Sequence, residues 1–240
     1  MDFEELDYCP TPIGVLSLRR RMQLPVRVEV FEVKLDDDFL MSSLFTEGEI
    51  ALAKLGLAGL GDGPLDVVVG GLGLGYTAKA VLEHAAVRSV VVIEAVEAVI
   101  RWHRQGLVPL GSALTSDARC ALLNADFFAR VADSKGIDPA HPGKRLDAIL
   151  VDIDHSPRSL LNERHQWFYQ LAGLRRLSAH LQPHGVFALW SNDPPHDDFL
   201  AQLRPVFREV EAHVVRFHNP LQNRDAFNTV YVARSPVAPD

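Results

Sequence analysis

Three carboxylates stand at the ends of apolar runs in this chain, beside a glycine-rich turn. Glu94 closes SVVVIEA, Asp126 follows ARCALLNA, and Asp152 closes LDAILVD. The turn is VVVGGLGLGYTA, residues 67–78, with Gly71, Gly73 and Gly75 at alternate positions. An acid at a strand end can accept hydrogen bonds from both hydroxyls of a ribose, and Glu94 is spaced for that role, 19 residues after Gly75 (94 − 75). Asp152 opens DIDH, where Asp154 and His155 follow on the same loop. A carboxylate or imidazole there is placed to take a proton from an attacking nucleophile. Each acid alone reads equally well as a helix cap. As a set beside one glycine loop they make a constellation. The third glycine comes one position early for the G-x-G-x-x-G pyrophosphate cradle, which disfavours a nicotinamide dinucleotide.

The elements that carry these residues can be read from period. PIGVLSLRRR and VRVEVFEVKL alternate apolar and polar side chains, as strands with one buried face do, and MQLP between them can turn the chain. DDDFLMS extends this small sheet. From Glu47, GEIALAKLGLAGL has helical spacing, and GDGP ends it. Continuous apolar strands (LDVVVGG, SVVVIEA, ARCALLNAD, LDAILVDID, HGVFALWSN) then alternate with helical stretches such as YTAKAVLEHA, VEAVIRWHRQG and WFYQLAGLRRLSAHL. That alternation predicts an α/β fold whose parallel sheet is covered on both faces. EVEAHVVRF and NTVYVAR supply terminal strands. The expected division is a small N-terminal β region, 1–45, and a Rossmann-like nucleoside-binding catalytic domain, 46–240.

Composition narrows the function classes. The chain has 240 residues and a net charge of −7, from 24 Lys and Arg against 31 Asp and Glu, so nucleic acid is not an expected partner. LRRRM at 18–22 reads as a solvated strand end. No apolar run approaches the ~20 residues of a membrane helix, and MDFEELDYCP lacks the pattern of a secretion signal. A cytoplasmic protein with Cys9 and Cys120 as free thiols is expected. Ten histidines raise the question of a metal, but none lies in H-E-x-x-H and no cysteine pair assists, so none is expected. Trp102, Trp167 and Trp190 read as core, and Asn192 and Asp193 as candidates for the ligand edge.

With these residues in view, G-x-G-x-G resembles the first motif of class I S-adenosylmethionine (SAM) binding proteins. From Val26 onward the chain resembles the spermidine synthase (polyamine aminopropyltransferase) family. SVVVIEAVEAVIRWHR is similar to that family's V-x-x-V-E-I-D-x-x-V-I segment, and LDAILVDIDHSP to its D-V-I-x-D-S-x-D-P segment. HGVFALWSNDP and FLAQLRPVF are similar to its next strand and helix. The resemblance implies the class I SAM methyltransferase sheet with a small N-terminal sheet, and a homodimer. It implies SAM or decarboxylated SAM as donor, held by Gly71, Gly73, Gly75, Glu94 and Asp126, the last at the adenine amino group. It gives Asp152 the place of the base, with Asp154 and His155 sharing proton transfer or orienting a small-molecule acceptor.

Four family features are altered; in the D-S-x-D-P segment, here DIDHSP, the first acid survives as Asp152 and the second is displaced. The glycine motif G-G-G-D-G-G places an acid where this chain has Gly73, and no acid occurs between Val67 and Leu82. The Tyr and Gln or His that help form the amine pocket are replaced by Glu47 and Gly48, and P-x-Y-P-x-G gives way to NPLQNRDAFN. A cationic amine needs nearby carboxylates. The loss of the donor-arm acid therefore places methyl transfer from SAM slightly ahead of aminopropyl transfer from decarboxylated SAM. A nucleoside-binding scaffold without catalysis is the remaining alternative.

Overall fold

The computed structural model describes residues 3–11, 13–24 and 26–238. Its centre is a seven-stranded sheet of order β10-β11-β9-β8-β5-β6-β7. The strands are β5 (Leu65–Gly70), β6 (Val87–Glu94), β7 (Cys120–Asn124), β8 (Leu146–Val151), β9 (Leu181–Ser191), β10 (Phe207–Asn219) and β11 (Arg224–Pro236). β5 through β9 are mutually parallel, while β10 and β11 form an antiparallel hairpin on β9. Every residue of β5 is buried, which is why the run LDVVVG is apolar but for Asp66, whose carboxylate pairs with Arg88 and Lys144. One layer of core lies under α1 (Glu47–Leu57), α2 (Tyr76–Leu82), α3 (Glu97–Arg104) and α4 (Gly111–Ser116). The other lies under α5 (Phe127–Ala132), α6 (Leu171–Ser178) and α7 (Asp197–Leu203), around Phe127, Phe168, Phe187 and Phe207. This is the Rossmann-like α/β sheet expected.

Strands leave β5 in both directions, to β6 on one side and to β8 on the other. Open parallel sheets bind ligands outside the carboxyl ends of the strands at such a switch point. The glycine turn after β5 and Asp152 after β8 meet there: the amide of Asp152 donates to the Gly70 carbonyl at 2.8 Å.

A second sheet, order β1-β2-β3-β4, is antiparallel throughout: β1 (Phe3–Thr11), β2 (Gly14–Gln23), β3 (Val28–Leu35) and β4 (Asp38–Ser42). Leu16, Leu18 and Val33 pack into the same core layer as α1 to α3. Asp7 fixes the docking, accepting hydrogen bonds from the Arg101 guanidinium and the Trp102 indole on α3. Arg20 and Arg21 of the basic run pair with Glu4 and Glu32 on neighbouring strands. The turn expected at MQLP falls after Gln23, and its Pro25 lies outside the described residues.

The structure departs from the sequence reading in three places. MDFEELDYCP supplies a whole edge strand, β1, whose acidic residues face solvent or Arg side chains and leave too weak an apolar alternation to detect. GSALTS forms the short α4, which has no strong propensity signal. WFYQLAGLRRLSAHL is not one helix: a 3-10 turn over Glu163–Tyr169, capped by Asn162, ends at extended Gln170, and α6 begins at Leu171. Cys9 and Cys120 are both free. Among the described residues no helix is long and apolar enough to cross a membrane.

Candidate active site

A cleft runs along the carboxyl ends of β5, β6 and β8 and divides into two cavities. One, of ≈ 250 Å³, is lined by Glu94, Val96, Asp126, Phe128, Asn162 and His165 among others. The other, of ≈ 380 Å³, is lined by Glu49, Tyr76, His155, Trp190, Asn192 and Asn228 among others. Gly73, Met41, Asp152, Ile153 and Leu161 line both, so Asp152 stands at the boundary. The outer walls come from distant parts of the chain. Leu40 and Met41 of the small sheet face one side, and Phe217 and Phe227 of the β10–β11 hairpin close the other, with the Phe217 ring 5.9 Å from that of Phe45.

The glycines of the turn are required by their surroundings. Gly71 has φ +92°, and a Cβ there would lie 2.0 Å from the Asp152 carbonyl oxygen. At Gly73 the space that a side chain would enter is filled by the Met41 sulfur, 2.8 Å from the position of a Cβ. A side chain at Gly73 would therefore require the end of the flexible Met41 side chain to swing aside. Gly75 lies against Leu114 and His103 at the start of α2.

Glu94 is held from both sides, accepting the amides of Val96 at 2.8 Å and Leu72 at 3.0 Å. Burial pushes its pKa up, and the amides of Val96, Leu72, Gly73 and Ala95 pull it down. Each carboxylate oxygen keeps a lone pair for a further donor. Asp126 caps α5, its Oδ1 accepting from Phe128 at 2.8 Å and Ala129 at 3.2 Å, while Oδ2 takes no donor among the described residues. Asp152 is buried, and its Oδ2 accepts the Thr77 hydroxyl at 2.9 Å. Burial raises its pKa above the usual carboxylate range, and the Thr77 hydrogen bond opposes the rise.

One functional candidate escaped the sequence reading. Glu49, in the first turn of α1, lines the same cavity as Asp152, and burial and the repulsion of Asp152 push its pKa up to about 8. Burial, and next the Glu49 charge, also raise Tyr76. Two carboxylates facing one space resist ionising together, and a cation between them lowers that cost. The signal for Glu49 was slight, because an acid in a first turn is what the helix dipole favours in any helix.

The remaining expectations separate. His155 lines the larger cavity and its carbonyl accepts the Asn192 amide at 2.7 Å. Asp154 is not brought to the cleft. Its carboxylate is buried and taken up by the Leu161 amide at 2.7 Å, the Tyr169 hydroxyl at 2.8 Å and His165 Nδ1 at 3.1 Å. The strand ends at Val151, so nearness to Asp152 in sequence does not give Asp154 the same direction. Asn192 lines the cavity, whereas Asp193 turns away to accept the Ser156 hydroxyl at 2.6 Å. Trp102 is core, but Trp190 lines the cavity, its indole lying where Gly48 leaves no side chain. Among the described residues no three His, Cys, Asp or Glu gather as a metal site. His180 and His184 stand four apart, but each is engaged elsewhere, with the Val131 carbonyl and Asp147.

Known proteins of similar sequence and shape fit this geometry. The family model for the spermine/spermidine synthase domain matches residues 56–216. Polyamine aminopropyltransferase 2 of Pseudomonas aeruginosa is 30% identical over 162 residues, covering 63% of this chain and 42% of that protein. The chain thus spans less than half the length of that relative. Spermidine synthase from Thermotoga maritima superposes with a TM-score of 0.71 at 17% identity, covering 98% of this chain and 74% of that one. A spermidine synthase in complex with the transition state analogue AdoDATO gives 0.70 at 18%, with the same coverage. Human methyltransferase-like protein 13 in complex with SAH gives 0.54 at 21%, covering 80% of this chain and 82% of that one. At these identities the structures speak for the fold, while the family match spans the glycine turn and all three strand-end acids: the chain belongs to the spermine/spermidine synthase family.

Proposed function

We propose that the chain is a transferase that moves an aminopropyl group from decarboxylated SAM to a small amine. The observation that carries this reading is the pair of buried carboxylates, Glu49 and Asp152, facing the same cavity. An ammonium entering between them relieves their repulsion, and each acid then ionises at lower pH. The cation recognition that the glycine turn lacks is thus supplied from α1. This reverses the order drawn from sequence, where the missing acid put methyl transfer first. The name of the Pseudomonas aeruginosa relative supports the same reversal.

In this reading Glu94 takes the ribose hydroxyls in the smaller cavity, and Gly71, Gly73 and Gly75 let the nucleoside approach the turn. The amine nitrogen attacks the carbon beside the sulfonium. A new N–C bond forms, the C–S bond breaks, and its electron pair leaves on sulfur as the neutral thioether methylthioadenosine. Asp152, at the boundary between the cavities, takes the proton that the nitrogen must lose, and His155 orients the acceptor. The protein's part is alignment and proton removal. Met41 fills the donor-arm position, which favours the second reading, methyl transfer from SAM, in which no amine arm needs an acid there.

Calorimetric titration with decarboxylated SAM, SAM and methylthioadenosine separates these readings. A preference for decarboxylated SAM of about tenfold or more, one charge-assisted hydrogen bond's worth, is expected. Equal binding of SAM transfers the case to methyl transfer, and binding without turnover leaves a scaffold. Replacing Glu94 with Ala should weaken methylthioadenosine binding by ~1–3 kcal/mol, because the ribose hydroxyls lose their acceptor. Unchanged binding would remove Glu94 from the ribose site.

Glu49→Gln has a signature of its own. An acid whose pKa is raised by folding stabilises the fold at low pH, and that contribution is lost as pH rises from the ordinary carboxylate range through about 8. The ligand-free variant should therefore gain Tm over the native chain progressively between pH ~5 and ~9, while its KM for amine rises. A constant Tm difference across that range would show that Glu49 is not strained by its charge.

A further inference from the structure

We infer that His165, held by Asp154, reads the edge of the purine and selects an amino group at its sixth position over an oxygen. The inference rests on the nucleoside reading of the smaller cavity. His165 lines that cavity with Glu94 and Asp126. Its ring stacks on Phe128, centroids 3.9 Å apart and planes at 26°. Nδ1 lies 3.1 Å from both oxygens of Asp154, a carboxylate that is itself buried and fixed by Tyr169 and the Leu161 amide. In the neutral ring a carboxylate on Nδ1 sets the tautomer, with the proton on Nδ1 and Nε2 left as the acceptor. Nε2 takes no partner among the described residues and is not among the buried polar atoms. The side chain keeps 18% of its surface open.

The same logic explains what Asp154 does. Its carboxylate lies outside the cleft, yet it makes three contacts that serve the loop over the smaller cavity: one to Leu161, one to His165, and one to Tyr169 beneath them. Asp154 is a positioning residue. Asp126 offers Oδ2 on the same cavity. An exocyclic amino group has two N–H donors, one for each acceptor, whereas a 6-oxo group meets two acceptors with a third and is repelled.

The test is calorimetric binding of methylthioadenosine and methylthioinosine to the native chain, His165→Phe and His165→Gln. Phe keeps the stack on Phe128 without an acceptor, and Gln restores an acceptor near the Nε2 position. The native chain should prefer the amino nucleoside. That preference should fall by about tenfold in His165→Phe, the worth of one hydrogen bond in a pocket, and recover in part in His165→Gln. Asp154→Asn should lower the preference in the same direction, with a melting curve to show that the loop remains folded. Equal losses for both nucleosides in His165→Phe would reduce the residue to packing and overturn the inference. If neither nucleoside binds the native chain, the nucleoside site itself fails, a result distinct from loss of selectivity.

Discussion

Replacing Asp152 with Asn should lower turnover by about 10²–10⁴-fold, the usual contribution of a positioned general base, and leave methylthioadenosine binding within about threefold. Asn keeps the shape and can still accept the Thr77 hydroxyl that Asp152 accepts at 2.9 Å, so the glycine turn need not move. What it loses is basicity at the boundary between the two cavities. The native pH profile should rise as Asp152 ionises, above the usual carboxylate range because burial holds the proton on. A bound amine cation pulls that rise to lower pH. Product formation at saturating donor and amine measures the effect. Turnover above about a tenth of the native value would show that the amine reaches the enzyme already deprotonated and needs no base.

The second large effect is on stability. Gly71→Ala introduces a Cβ 2.0 Å from the Asp152 carbonyl oxygen at a residue with φ +92°. The left-handed backbone costs about 1–2 kcal/mol for alanine, and overpacking against backbone adds about 1–3 kcal/mol. A loss of about 3 kcal/mol in a chain of this length lowers Tm by roughly 6–12 °C. Gly61→Ala is the control, since nothing lies within 4 Å of its Cβ, and it should stay within about 1 kcal/mol of the native chain. Equal Tm values for the two variants would mean that the turn relaxes, and with it the close approach of β5 to the Asp152 loop.

The central sheet was legible because a strand buried on both faces is apolar along its middle, as VVV of β5, VVVI of β6, AILV of β8 and VFALW of β9 are. Their carboxyl ends follow from where the apolar runs stop, so Glu94, Asp126 and Asp152 could be located by counting. Residues that reach the cleft from other directions left no such trace. Glu49 reads as an ordinary first-turn acid, Trp190 as one more apolar residue of β9, and His165 as a lone histidine in a polar stretch. Asp154 shows the limit from the other side. It is two residues from Asp152 in sequence, but beyond the strand end the backbone no longer fixes where a side chain points.

The division of the cleft has a consequence for how such a protein can change its chemistry. The smaller cavity is read mainly by residues at the ends of β6, β7 and β8, while the larger is finished by α1, Trp190 and the β10–β11 hairpin. Substitutions at Gly48, Trp190 or Phe227 reshape the larger cavity without touching Glu94, Asp126 or His165. On the proposed reading the two halves are editable apart from their shared boundary, and a library confined to those three positions should exchange one acceptor for another while the same nucleoside goes on being held.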